Sequence, residues 1–395
     1  MNLSKGVTMT TSEAMDWNED VLEGIQPTDL SSLVVYSRDW TIETIYNQIE
    51  QKNIDLNPQF QRRNAWTDDK RSRLIESLII GNPVPEIVLA EHPQKKKSFI
   101  VIDGKQRLLT IAGFIDPKIS YWKRPSLAKL DIRKDLNGID FVRINKEPRF
   151  DNELREFMNA DIRCTIISNY SEDDVLYDIF YRLNTGSVPL STQELRQVLN
   201  KGEFADYLMQ ITNDVQPIHA ILKLDEPDAR LRDIELILRF IAFTLFGKTY
   251  KGNLKKFLDS AMGRINGDWD NYRITVEELY NKFNKSIRLL NIAFGNEPIG
   301  HKYTAGKWEG VLNKVLFEVE AYYFTFLEEQ EVKNNRTKFI KAFKDFCSSN
   351  YEFRESIRIS TSNLENYQNR FKLFRTFINK TFGKRIKEIP IILNS

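Results

Sequence analysis

Several residue types are scarce in this sequence, and each scarcity excludes a class of protein. Its 395 residues include two cysteines, Cys164 and Cys347, too few for the disulfide framework of a small secreted scaffold and in keeping with a reducing compartment. The three histidines, His92, His219 and His301, lie far apart, which argues against a histidine-rich metal centre. No run of about 18 apolar residues occurs, and the opening MNLSKGVTMTTSEAMDWNEDVLEG lacks the apolar core of a signal peptide. The expectation is a soluble, cytoplasmic chain with no membrane partner. An excess of charge of one sign is also missing. Lys plus Arg number 57 against 55 Asp plus Glu, a formal +2, so no global field draws the protein onto DNA or a membrane. A charged binding surface has to be a local patch.

What is present is an ordinary globular composition, 41% hydrophobic and 12% aromatic, over a length that suits two or three folding units. Residues 1–35, polar and acidic at first and broken by Gly24 and Pro27, read as a flexible N-terminal arm. From Thr41 the pattern is helical, with Ile42, Ile45 and Ile49 on one face. The stretch Ile54 to Trp66 is held extended by Pro58. Thr67 caps a second helix whose stripe is Leu74, Ile75, Leu78 and Ile79. Residues 86–90 and 98–102 read as two strands, joined by EHPQKKK into an antiparallel pair, and residues 160–168 as a third. Residues 116–157 carry mixed signals. Ser171 caps a helix that ends at Thr185-Gly186. Ser191 and Glu194 have capping-box spacing ahead of a helical pattern running on through Ile211. Beyond about residue 228 everything reads as helix, in segments 229–246, 254–265, 275–294, 307–329, 337–347 and 363–382.

The fold class is therefore α+β: a domain with a small sheet over residues 36–225, followed by an all-helical domain over 226–395. Charge divides along the chain as well. Residues 1–200 hold 26 basic and 30 acidic residues, or −4, whereas the remainder holds 31 and 25, or +6. That permits a nucleic-acid surface on the helical part without demanding one.

One segment exceeds what a fold alone requires. The apolar run Phe99-Ile100-Val101-Ile102 leads straight into Asp103-Gly104-Lys105-Gln106-Arg107 and then into a helical pattern. A strand, a glycine turn and a helix N-terminus together present backbone N–H groups and the positive end of a helix dipole. Gly104 permits close approach, and Lys105 and Arg107 bring positive charge, Arg107 with a fork suited to phosphate. Gln106 can orient a water, and Asp103 can serve as general base or hold a divalent cation. The same five residues also read as an ordinary Asp-Gly turn followed by surface side chains. A second polar cluster, Gln61-Arg62-Arg63-Asn64, reads either as part of a pocket or as exposed residues between the anchors Phe60 and Trp66. A third, Asn184-Thr185-Gly186, also suits a plain helix C-cap. Lys95 to Lys97, Trp122-Lys123-Arg124 and residues 384–387 are basic patches best explained as solvated surface.

Taken in order, three motifs carry a family resemblance: Pro58-x-Phe60-Gln61-Arg62-x-x-x-Trp66, Asp103-Gly-Lys-Gln-Arg-Leu-Leu-Thr110, and Asn184-x-Gly186 followed by Leu190-Ser191 and Glu194-Leu195. Together they resemble the N-terminal domain family of GmrSD-type restriction endonucleases, which carries an Asp-Gly-Gln-Gln-Arg signature and is similar to the ParB/sulfiredoxin fold. The likeness spans at least residues 40–205, and Arg232-Asp-x-Glu235-x-x-x-Arg239-Phe240 and Thr361-Ser362 fit it further along. The resemblance implies a nucleotide-binding, NTP-hydrolysing component of a bacterial restriction or anti-phage system. It implies catalytic roles for Asp103, Gln106 and Arg107, with Asp103 also meeting a magnesium ion. Gln61, Arg62, Gly104, Lys105, Arg107, Thr110 and Asn184 would hold the nucleotide. The implied partners are a nucleoside triphosphate with Mg2+, DNA, and a nuclease or other defence chain.

The sequence departs from the family at Lys105, where the signature has Gln, which puts the detailed catalytic geometry in doubt. It also lacks the His-Asn-His nuclease pattern carried C-terminally by relatives, since neither His219 nor His301 has a second histidine within motif distance. The alternatives that stay open are a DNA-binding regulator and a ParB-like nuclease, both without nucleotide turnover.

Overall fold

The computed structural model describes residues 33–56, 66–93, 95–119, 122, 125–170, 175–177, 179, 191–358 and 361–390. The chain falls into two compact units that divide between Leu199 and Asn200.

In the first unit the apolar runs form the sheet. Strand β1 (Val34–Thr41) leads into helix α1 (Ile42–Glu50) and then α2 (Asp68–Ile79). Strands β2 (Ile87–Glu91) and β3 (Phe99–Asp103) follow, then α3 (Lys105–Ile115), α4 (Phe141–Lys146), α5 (Asp151–Asn159), β4 (Asp161–Ser168) and α6 (Thr192–Leu199). The sheet order is β1-β4-β2-β3. β2 and β3 form the expected antiparallel pair, β2 runs parallel to β4, and β1 closes the other side antiparallel to β4.

Both faces of β2 and β3 are covered, so these strands are apolar throughout rather than alternating. Val88, Ala90, Ile100 and Ile102 share one core with Ile167, Leu176, Leu195 and Val198. Ile87, Leu89, Phe99 and Val101 face a larger core filled from α1, α2, α3 and α5. Thr41 and Thr67 cap α1 and α2 by accepting from the amides of Thr44 and Lys70, and Ile42, Ile45 and Ile49 form the buried face of α1.

Up to the start of the second unit, three stretches differ from the sequence expectation. The tail of the presumed arm is strand: Val34 and Val35 open β1, and residues 1–32 lie outside the described residues. β1 is exposed along most of its length, so it lacks the alternation that betrays a half-buried strand. Among the described residues of 116–157 are two α-helices, two 3-10 turns (Lys134–Leu136 and Pro148–Phe150) and a loop whose backbone is held by side chains, Glu76 foremost. The buried carboxylate of Glu76 accepts the amides of Ile132 at 2.8 Å and Arg133 at 2.6 Å. The helical pattern through Ile211 is broken after Leu199, and a new helix starts at Glu203.

The second unit is helical: α7 (Glu203–Ile211), α8 (Pro217–Ile221), α9 (Arg232–Phe246), α10 (Leu254–Gly267), α11 (Trp269–Phe294), α12 (Lys314–Phe324), α13 (Glu329–Ser349), α14 (Tyr351–Ser356) and α15 (Leu364–Phe382). The helix expected from Lys307 starts only at Lys314. Before it comes a hairpin, β5 (Tyr303–Thr304) and β6 (Lys307–Trp308), turned at Ala305-Gly306, both with positive φ. Aromatic rings fill the interior, as where Phe346 stacks on Phe377 at 4.7 Å and 13°.

The Arg232 to Phe240 motif belongs to this interior. Fully buried Arg239 pairs with Glu235 at 3.1 Å on its own helix and with Glu318 of α12, while Asp233 meets His219 at 2.8 Å. The Thr361 and Ser362 carbonyls accept from Arg370 and Tyr250. These residues brace helices against each other, where a buried charge is tolerated only when partnered.

Candidate functional site

The site is built where β3 ends. Val88 pairs with Asp103 but Leu89 with Val101, so Ile102 is an extra residue in β3. A bulge of this kind re-aims the side chain beyond it, and here that side chain is Asp103. Gly104 then turns the chain in the left-handed region at φ +94°. A Cβ at this position would sit 3.0 Å from Ile87 Cγ1 and 3.3 Å from Ile87 Cα. Glycine is therefore required both by the backbone angle and by the close passage of β2. The neighbours that come this close are the protein's own strand and, at 3.2 Å, Arg107 Nη2.

Gly104 is also the N-cap of α3 and offers no side chain to the first turn. The ladder begins with the Leu108 amide donating to the Gly104 carbonyl at 3.0 Å. The amides of Gln106 and Arg107 precede it at the positive end of the helix dipole, free of any side-chain cap. Arg107 lies underneath. Its guanidinium donates through Nη2 to Asp103 Oδ2 at 2.8 Å and to the Glu86 carbonyl at 2.7 Å. The side chain of Arg107 is 7% exposed and that of Asp103 24%, so the carboxylate rather than the guanidinium reaches solvent. Asp103 Oδ1 and the half-buried Gln106 side chain make no hydrogen bond to a described residue. Arg107 Nε is buried without an acceptor.

The other expected residues are placed as follows. Lys105 and Thr110 are buried, and the Thr110 hydroxyl donates to the Gln106 carbonyl at 2.7 Å. Gln61, Arg62 and Asn184 lie outside the described residues, as do Arg63, Asn64 and Gly186. The chain entering the Gln61 segment starts beside β3, where Ile54 bridges Phe99 in parallel. Ser191 and Glu194 form the capping box their spacing announced. The Ser191 amide donates to Glu194 Oε2 at 2.6 Å and the Glu194 amide to Ser191 Oγ at 3.0 Å.

The part Glu86 plays at this corner, through its backbone, escaped the sequence reading. Glu86 supplies its carbonyl to Arg107, and its exposed side chain accepts the Thr165 hydroxyl at 2.8 Å. Thr165 meets Ser37 at 3.0 Å across β4 and β1. The only local signal was that Glu86 leads into β2 directly after Pro85.

Among the described residues no cluster of three His, Cys, Asp or Glu could hold a metal, and no helix is long and apolar enough to cross a membrane. Cys164 and Cys347 are both buried and unpaired. His219 is enclosed with Asp233, and His301 Nδ1 lies 2.7 Å from the Glu309 carbonyl, so each histidine is engaged in packing.

The first unit is thus an α+β domain whose polar corner sits between a strand end and an uncapped helix start. Residues 42–199 match the family model described as the GmrSD restriction endonuclease, N-terminal domain. No curated protein and no solved structure matches the chain.

Proposed function

We propose that the chain is a nucleotide-dependent component of a restriction or anti-phage defence system, and that the Asp103 to Arg107 corner binds and hydrolyses a nucleoside triphosphate. The observation that carries this reading is the division of labour between Asp103 and Arg107. A buried arginine fixes a partly exposed carboxylate at the mouth of a helix N-terminus that no side chain caps. Phosphate oxygens suit the first-turn amides and the dipole. Arg107 holds Asp103 in one orientation, leaving Oδ1 to take a proton from the attacking water, which Gln106 positions.

Hydrolysis moves few groups. The water oxygen bonds to the terminal phosphorus, the bond from that phosphorus to the bridging oxygen breaks, and inorganic phosphate and the diphosphate leave. Magnesium would arrive with the triphosphate. A single carboxylate suits it, because magnesium keeps its waters and takes phosphate oxygens rather than an all-protein cage. Asp103 is the residue that would meet it.

The test is nucleotide binding and phosphate release by the full chain, compared with Asp103→Asn and Arg107→Gln. The expectation is loss of turnover in both, with binding weakened most by Arg107→Gln. Equal turnover in all three sinks the proposal. Salt-sensitive retention of DNA without phosphate release would favour the regulator reading, and divalent-dependent plasmid nicking would favour a ParB-like nuclease.

A further inference from the structure

A cavity of about 270 Å3 opens in the helical unit between the β5–β6 hairpin, the end of α13 and helix α14. Its wall carries three cations and two carboxylates. Lys302 is neutralised by Glu309 at 3.0 Å. Arg358 is neutralised by Glu355 through two bonds, Nε at 3.1 Å and Nη2 at 3.0 Å. Arg354 is the cation left over. Its side chain makes no hydrogen bond or ion pair to a described residue and its Nε is buried without an acceptor; the guanidinium lies 5.9 Å from the Tyr351 ring and acts on the Glu355 carboxylate, already bonded to Arg358, only through its charge. The cavity therefore holds one uncompensated positive charge and an orphaned donor. The other wall groups do not supply the missing acceptor. The Glu309 carboxylate is taken by Lys302 and by the Thr304 hydroxyl at 2.8 Å. Cys347, also on the wall, has a thiol that burial pushes up to about 12, so it stays protonated and adds no negative charge.

We infer that this cavity is a binding site for a small oxyanion, a carboxylate or phosphoryl group, gripped by the Arg354 guanidinium. Arginine presents a planar fork that a carboxylate or phosphate fills with two parallel bonds. An anion there supplies the acceptor Arg354 Nε lacks, on the buried side of a half-buried guanidinium. The volume admits a carboxylate or phosphate with a small organic substituent. The two neutralised pairs leave no net repulsion towards a singly charged guest. The inference rests on the helical unit alone and is independent of the nucleotide reading of the first unit.

The experiment uses Cys347 as a reporter at the site itself. In the full chain carrying Cys164→Ser and Arg107→Gln, Cys347 is the sole thiol and the corner at Arg107 is disabled. Its modification by the small uncharged reagent methyl methanethiosulfonate is timed with and without inorganic phosphate, and in a second arm with acetate. The expected result is a severalfold slower modification under one or both anions. That protection disappears when Arg354→Gln is added and returns in part with Arg354→Lys. Protection by phosphate alone assigns a phosphoryl guest, and protection by acetate alone a carboxylate. Protection that survives Arg354→Gln, or no protection by either anion in a chain whose circular dichroism matches the wild type, overturns the inference.

Discussion

Arg107 reaches back one helical turn to Asp103, Nη2 to Oδ2 at 2.8 Å, and with the same nitrogen donates to the Glu86 carbonyl at 2.7 Å. One buried group thus fastens the end of β3, the start of α3 and the entry to β2. A plain surface turn needs no such fastening. An arginine meant only to catch phosphate would point outward. The geometry instead gives the arginine a holding role and leaves the carboxylate the more exposed of the two.

That assignment predicts coupling. Arg107→Gln removes the charge-assisted donor of Asp103 and should destabilise the first unit by about 1–3 kcal/mol, the range for losing one partner of a part-buried charged hydrogen bond. Asp103→Asn should cost less, because the amide oxygen still accepts from Arg107. The double variant should lie closer to Arg107→Gln than to the sum, with a coupling of about 0.5–3 kcal/mol. Urea midpoints for the four proteins measure it. Strict additivity would show that the two side chains do not act as a pair.

Gly104→Ala isolates the backbone from the charges. The left-handed angle costs a residue with a Cβ about 1–2 kcal/mol, and that Cβ would press on Ile87. The expected outcome is a lower urea midpoint together with reduced nucleotide binding, because the turn that presents the first amides of α3 must shift. A variant as stable as the wild type would mean the turn relaxes without strain.

The legible parts of this molecule were those in which a local rule had no competitor. β2 and β3 are short apolar runs joined by a polar turn. α1 has its isoleucines at helical spacing, and Ser191 with Glu194 announces a capping box that the structure contains. The Asp103 to Arg107 turn was legible for the same reason, since strand, glycine and helix follow one another without a gap. What could not be read depends on contacts distant in sequence. β1 has no alternating pattern because it is an edge strand, fixed by its register with β4. The loop around Ile132 is held by Glu76, more than fifty positions earlier. The hairpin at Tyr303 to Trp308 has two residues per strand, and its ring contact, Tyr303 on Trp308 at 5.2 Å, appears only once it is folded. The inward turn of Arg107 and the bulge at Ile102 likewise arise from pairing with β2.

The capping box offers a check on α6, whose Leu195 and Val198 pack on the sheet face behind β3. Ser191→Ala removes the acceptor of the Glu194 amide and should lower stability by about 1 kcal/mol. Ser191→Asp, which keeps an acceptor at the N-cap, should recover most of it. Equal urea midpoints for the alanine variant and the wild type would show that the helix start is held by other contacts.

The last prediction concerns pH and the helical unit. Glu320 of α12 is fully buried, and burial pushes its carboxyl well above the ordinary range, opposed only in part by the Gly300 amide that donates to Oε2 at 2.9 Å. Oε1 has no partner. A carboxyl that titrates higher folded than unfolded binds more protons in the native state across that interval. Its contribution is therefore fully present below the unfolded value and is lost as pH rises through the folded one. Wild-type stability should accordingly fall on going from about pH 5 to about pH 8 by an amount that Glu320→Gln removes. The glutamine keeps the shape and the acceptor for Gly300 but does not ionise. Urea midpoints for both proteins at the two pH values measure the difference. If the slope is the same in both, Glu320 remains ionised inside the fold, and the burial argument fails at this residue.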